Sequence, residues 1–189
     1  AYFKPGVYQS DPTKSTEWNR GAYLVQGLGH CSACHSERNP LGGMMALKGD
    51  DTLGGGQIMG SNWYAPSLTS SLEASTAGWS IEEIVQLLTT GVSPQATTSG
   101  PMAEVVSQSL QYLTKEDARA MAVYLKSLPE TPSQQQANAP AQTEQVEAWL
   151  RYGARIYKEH CQDCHGASGQ GAPQIYPPLA GNRSVTLSP

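Results

Sequence analysis

All four cysteines and all four histidines of this 189-residue chain fall in two copies of one pattern. His30-Cys31-Ser32-Ala33-Cys34-His35 and His160-Cys161-Gln162-Asp163-Cys164-His165 lie 130 positions apart. A chain that spends these residues nowhere else must fold so that each pattern becomes one short, self-contained site. On a turn of helix, positions i, i+3 and i+4 share a face. Each pattern therefore presents two thiols and the imidazole behind them to one side.

Cys-x-x-Cys-His is the attachment signature of haem c. Two thiols on one turn add to the two vinyl groups along one porphyrin edge, and the following imidazole lies under the iron. Other uses of paired cysteines fit less well. A zinc ribbon separates its pairs by about 15–20 residues, and here roughly 125 intervene. A thioredoxin-like dithiol expects a βαβ setting, and neither alternative requires the histidine. Two haem c groups are expected, held by Cys31 and Cys34 and by Cys161 and Cys164, with His35 and His165 as proximal ligands. His30 and His160 sit beside the tethered edge and cannot reach the far face of their own haem, so they read as peripheral polar residues.

With the histidines used up, the sixth ligand of the first haem should be a methionine. Met121 lies on an apolar helix face and reads as core. Met44 and Met45 follow the motif too closely to travel round a macrocycle. Met59 in a glycine-rich loop competes with Met102 in "SGPMAEVV", which reads as a loop between two helices, turned by Gly100-Pro101. Loop context favours Met102, and His/Met ligation would give a high-potential centre. No methionine follows His165, so the second sixth ligand is expected from residues absent here rather than from the first half or from water. A ligating histidine usually donates its other N–H to a carbonyl, and Pro66 and Pro177 are placed to offer theirs to His35 and His165. Trp63 and Tyr64 read as propionate donors or haem-edge packing, and Arg38 as a propionate partner or a solvated cation.

The first motif is preceded by a helical stretch from Thr16, with Trp18, Ala22, Val25 and Leu28 at helical spacing. Residues 36–79 show no period and read as loop. Ser80-Ile-Glu-Glu83 is a capping box, opening a helix expected through Leu88 and stopping at Gly91. Thr114 and Asp117 cap another, with Ala118, Met121, Ala122 and Leu125 on one face and Pro129 as its stop. Glu130 to Gln145, "ETPSQQQANAPAQTEQ", reads as a linker. A further helix over Val146–Glu159 leads into the second motif. The chain thus divides into a lead-in over 1–15, a haem domain over 16–129, a linker over 130–145 and the start of a second haem domain over 146–189. It is mainly α, a weak tandem repeat whose second unit is incomplete. A piece of about 45 residues is small to cover a cofactor unaided.

Composition agrees. Charged residues are only 15% and there is one Phe, so part of the core is expected from a bound cofactor. The net charge of −4 argues against nucleic-acid binding. No run of 18 or more apolar residues is present. Ala1 opens without Met, a basic region or an apolar region, which fits a removed signal or an excised piece.

The phrases "WNRGAYLVQGLGHCSACHSERNPLG", "WYAPSLT", "GPMAEVVSQSLQYLTKEDARAMAVYLKSLP" and "YPPLAGNRSV" resemble the multihaem cytochrome c subunit of bacterial membrane-associated dehydrogenases. That family serves alcohol, gluconate, sorbitol and FAD-dependent glucose dehydrogenases. The resemblance implies tandem class I cytochrome c domains. It also implies a periplasmic place at the inner membrane, reached through absent residues or partners. The partner would be a catalytic dehydrogenase subunit of flavin, quinoprotein or molybdenum type, and the acceptor a quinone or terminal oxidase. It supports Met102, since "GPM" sits where the family places its ligand. Family members usually carry three haem domains, so the chain reads as the middle one plus the beginning of the last.

The function expected is electron transfer, not catalysis. The sequence holds no Ser/His/Asp set, no phosphate loop and no spare histidine. The alternative is a dihaem enzyme of cytochrome c peroxidase or thiosulfate-oxidising type, kept open by the missing ligand of the second haem. A haem-based gas sensor is a more distant reading, since no effector domain is attached.

Overall fold

A computed structural model describes residues 6–39, 41–43, 53–70, 73–130 and 143–172, with 175, 176, 179, 180 and 185. The fold is mainly helical. α1 is Thr16–Tyr23, continued by a π-helical turn, Leu24–Leu28. α2, Ser32–His35, carries the first motif. β1 (Gly56–Gln57) and β2 (Tyr64–Ala65) form an antiparallel hairpin with Gly56 opposite Ala65 and Gln57 opposite Tyr64. α3 (Ile81–Thr90), α4 (Gly100–Gln108), a 3₁₀ turn (Leu110–Tyr112) and α5 (Lys115–Lys126) follow. α6 (Glu144–His160) and α7 (Gln162–His165) carry the second motif.

Side chains fix most helix starts. The Ser15, Ser80, Thr114 and Thr143 hydroxyls accept from backbone N–H groups at Trp18, Glu83, Asp117 and Val146. At Ser80 the box is complete, because the Glu83 carboxylate also accepts from the Ser80 N–H at 2.7 Å. α3 ends at Gly91, whose φ of +78° is the left-handed cap that glycine adopts without strain. The expected apolar face of α5 is buried at Ala118, Met121, Ala122 and Leu125.

α1 and α5 cross at the centre of the N-terminal part. A Cβ on Gly21 would collide with the backbone carbonyl of Ala120, so the two helices meet backbone to backbone. Around this contact the Trp18 and Tyr124 rings meet edge to face with centroids 5.1 Å apart. Trp18 Nε1 donates to Ser127 Oγ at 2.6 Å. Arg20 grips Asp117 with two bonds of 2.7 and 2.8 Å. Ala22, Leu24 and Val25 complete the buried seam with Ile84, Val106 and Leu110.

Three expectations are corrected. Leu28 is 65% exposed, although its spacing puts it with Trp18 and Val25. The π-helical turn accounts for this: Gly29 N–H donates to Leu24 C=O five residues back, and the widened turn rotates the following residues off the apolar face. Met102 lies in the first turn of α4 rather than in a loop. Pro101 stands at the helix start, where its fixed φ and missing N–H favour helix. The stretch over 36–79 contains the β1–β2 hairpin, whose two-residue strands are too short to leave a period in the sequence. In addition, α6 opens at Glu144, inside the segment read as linker, because Thr143 caps it. Most of that linker, like residues 1–5 of the lead-in, lies outside the described residues.

α6 differs from α1. None of its residues is buried, and Trp149, Leu150, Tyr152 and Ile156 are exposed apolar side chains. Gly153-Ala154 repeats the Gly21-Ala22 pair, eight residues before Cys161 where Gly21 stands ten before Cys31, yet nothing lies within 4 Å of a Cβ built on Gly153. The two glycines should therefore respond oppositely to one added methyl. Gly21→Ala should destabilise the chain by roughly 1–3 kcal/mol through forced separation of α1 and α5. Gly153→Ala should be neutral, or stabilising by up to about 1 kcal/mol, from helix propensity alone. Urea unfolding followed by circular dichroism checks both, and equal midpoints for the two variants would contradict the crossing described.

Candidate haem attachment sites

The chain enters the first motif through two local devices. The π-helical turn ends at Gly29, and His30 takes a left-handed conformation (φ +33°) that redirects the backbone into α2. One helical turn then forms, with the N–H groups of Cys34 and His35 donating to Cys31 C=O at 3.2 and 2.9 Å. Cys31 and Cys34 are free thiols, so the pair is not a disulfide. Burial pushes the Cys31 thiol up to about 11. That is opposite to the depressed pKa of a redox-active Cys-x-x-Cys. Among the described residues no three Cys, His, Asp or Glu side chains gather as a metal cluster.

His35 is held from behind. Its Nδ1 lies 2.7 Å from the Pro66 carbonyl oxygen. A carbonyl only accepts, so Nδ1 carries the proton and Nε2 keeps its lone pair for a metal. Burial lowers the His35 pKa while the Pro66 bond opposes that fall, and the imidazole is neutral at neutral pH, the form that ligates. The carbonyl of His35 is fixed as well: Gly55 N–H donates to it at 2.8 Å. Gly55 has φ +85°, and a Cβ there would strike the Tyr64 hydroxyl and the Ser67 nitrogen, so glycine is required.

The other expected site residues fall as follows. Trp63 lies against Gly100: a Cβ on Gly100 would come within 2.5 to 2.7 Å of three of its ring atoms. The segment leading to Pro66 therefore touches the turn two residues before Met102. Met102 is half-buried and packs on the core, whereas Met59 is 64% exposed and Met121 only 2%. Tyr64 does not extend outward as a propionate donor would. Its hydroxyl, in a buried side chain, donates to Glu73 at 3.0 Å. Arg38 turns back on its own loop, donating to Gly42 C=O at 2.8 Å and Ala33 C=O at 2.5 Å. Met44, Met45 and Pro177 lie outside the described residues.

The second motif repeats the frame of the first. His165 N–H donates to Cys161 C=O at 2.9 Å, and Cys161 and Cys164 are free thiols. Gly171 N–H donates to His165 C=O at 2.8 Å, as Gly55 does to His35. Two residues before each glycine, Leu53 C=O and Gly169 C=O accept from Leu68 and Leu179, the leucines of the two Pro-x-Leu segments. Just after each glycine, Gly56 pairs with Ala65 and Ala172 pairs with Tyr176. Tyr157 braces the site, its hydroxyl donating to Gly166 C=O at 2.6 Å.

These residues fit haem c. Each motif offers two free thiols and an imidazole on one turn, and the first imidazole has Nδ1 bonded to Pro66, which leaves the Nε2 lone pair for a metal. Leu28, Trp63 and Val105 are large apolar residues with substantial exposure. They stand three residues in sequence from Cys31, Pro66 and Met102 respectively. The sequence pattern did not reveal Gly55, Ser67, Glu73 or the Trp63–Gly100 contact. Gly55 lies in a run of three glycines that looks like plain loop, and Glu73 is one surface-type acid among many. Gly100→Ala should displace the Trp63 ring and shift the turn that carries Met102, with a loss of roughly 1–3 kcal/mol. Tryptophan fluorescence and thermal unfolding would register it, and an unchanged spectrum and midpoint would contradict the contact.

Comparison with known proteins agrees with the geometry. The cytochrome c family model matches residues 150–188. A nicotinate dehydrogenase subunit of Pseudomonas putida is 43% identical over 189 residues, covering 97% of this chain and 15% of that protein. The fructose dehydrogenase cytochrome subunit of Gluconobacter japonicus is 35% identical over 200 residues, covering 96% and 40%. The cytochrome c subunit of the quinone-type alcohol dehydrogenase of Gluconobacter oxydans is 38% identical over 194 residues, covering 96% and 39%. The chain thus spans well under half the length of these relatives. Over nearly all of its own length it is a relative of the cytochrome c subunits of dehydrogenases.

Proposed function

We propose that this chain passes electrons from a partner dehydrogenase toward the respiratory chain through two covalently attached haem c groups. It would do so as a pair of class I cytochrome c domains. The observation that carries the proposal is the His35–Pro66 hydrogen bond, on the same turn as two free thiols. Cys31 and Cys34 would tether the first haem, and His35, through Nε2, and Met102 would ligate it. Cys161, Cys164 and His165 do the same for the second. Bound haem supplies a one-electron ferric/ferrous couple. The protein's part is to hold the imidazole, exclude water and set the potential.

In this reading substrate chemistry belongs to a partner, as it does for relatives named cytochrome subunits of dehydrogenases. The relatives' names support a catalytic dehydrogenase subunit as that partner, whether flavin, quinoprotein or molybdenum type. They support a quinone or terminal oxidase as the acceptor less directly. We also propose a periplasmic place at the inner membrane, which would suit haem c and a membrane dehydrogenase partner. Among the described residues no helix is long and apolar enough to cross a membrane.

The test is spectroscopic. A pyridine haemochrome assay should give two haem c per chain, and the double variant Cys31→Ser, Cys34→Ser should give one. Met102→Ala should abolish the near-infrared methionine–iron band and lower the potential of the first haem. A variant that kept both would remove Met102 as the ligand, and a wild-type chain without haem c would remove the function.

A further inference from the structure

Resting on that haem reading, we infer that Glu73 is a positioning residue that tunes the first haem through a single peptide group. Pro66 C=O and Ser67 N–H belong to the same peptide unit. On one side the carbonyl accepts from His35 Nδ1–H at 2.7 Å. On the other the Ser67 N–H donates to Glu73 Oε2 at 2.7 Å. The carboxylate is thereby linked to the imidazole by two short bonds in series. A negative charge drawing on the N–H raises electron density on the carbonyl oxygen, and hydrogen bonds in series reinforce one another. A stronger acceptor at Nδ1 makes the imidazole a more basic ligand, as a carboxylate does directly in carboxylate–histidine–metal triads. A more basic ligand favours the ferric state, so Glu73 holds the potential of this haem down.

The surroundings preserve the effect. Ser67 and Tyr64 are buried, so solvent screens the relay weakly. The Tyr64 hydroxyl donates to the same Glu73 oxygen at 3.0 Å and holds it in place. Ser67 Oγ accepts from the Ser70 N–H at 2.9 Å, and Ala74 N–H donates to Ser67 C=O at 3.0 Å, which closes the turn that returns Glu73 to this peptide. The second motif cannot use the device. Its Pro-x-Leu segment is Pro177-Pro178-Leu179, and Pro178 has no N–H to donate. The relay is therefore a difference between two otherwise matching sites.

The experiment is a redox titration of the haem-loaded chain with Glu73→Gln, each haem followed separately, alongside the His35 Nδ1–H resonance in the reduced protein. Glutamine keeps an acceptor oxygen for Ser67 and removes the charge, so a purely structural clamp would leave both readouts unmoved. The relay predicts that the first haem becomes easier to reduce. The ferrous/ferric ratio at fixed poise should rise on the order of tenfold, the scale of outer-shell effects. That corresponds to about 59 mV for one electron. The Nδ1–H resonance should move upfield while the second haem stays unchanged. An unchanged potential and resonance with both haems present overturns the inference. Should Glu73→Gln fail to retain haem, Tyr64→Phe gives the opposite test. With one donor to Oε2 removed, more of the charge falls on Ser67 and the first potential should drop; no drop overturns the relay. A wild-type chain without thioether adducts at Cys31 and Cys34 overturns the haem reading, and the relay with it.

Discussion

The bond from His35 Nδ1–H to the Pro66 carbonyl joins the helical part of the chain to the loop part, and both are built around it. Its donor is positioned by helices. α1 packs on α5 through Gly21 and Ala120, the π-helical turn and left-handed His30 then redirect the chain, and α2 presents the imidazole. Its acceptor is positioned by the hairpin and by the turn that returns to Glu73. Gly55 stands where the two meet, giving its N–H to His35 and leaving room for Tyr64 and Ser67. One bond of this kind contributes about 1 kcal/mol to stability. Its larger consequence is chemical, since it decides which ring nitrogen keeps a lone pair.

The second motif shows which parts of this arrangement are general. The hydrogen bonds from Gly171 to His165 and from Leu179 to Gly169 reproduce those from Gly55 to His35 and from Leu68 to Leu53. The bridge between Ala172 and Tyr176 reproduces that between Gly56 and Ala65. The same frame is closed by a few residues after His165 and by a much longer stretch of sequence after His35. What differs is the helical support: α1 is sealed against α5, while the apolar side chains of α6 stand exposed. Local backbone hydrogen bonding thus specifies the turn around each histidine, and tertiary packing is added on top of it.

The sequence revealed the parts whose chemistry is local. Cys-x-x-Cys-His names its own use, the caps at Ser80 and Thr114 mark their helices, and the pairing of Pro66 with His35 follows from what a ligating imidazole needs. Met102 was legible as a candidate but not its place in a helix, because Gly100-Pro101 reads as a turn and also starts α4. Leu28 was misplaced because a π-turn changes the helical phase without a signature of its own. Glu73 and Gly55 were invisible for a further reason. Their roles depend on partners brought together by the fold, and nothing in the residue types points to those partners.

In the proposed arrangement two haem groups sit in matching frames and carry electrons, the first through His/Met ligation. An optical redox titration with a pyridine haemochrome assay on the same sample tests it most directly. Two haem c per chain are predicted, with the near-infrared methionine band and a high potential at the first. Two haems without any methionine band, one of them high-spin and quick to bind cyanide, would contradict it and point to a dihaem enzyme.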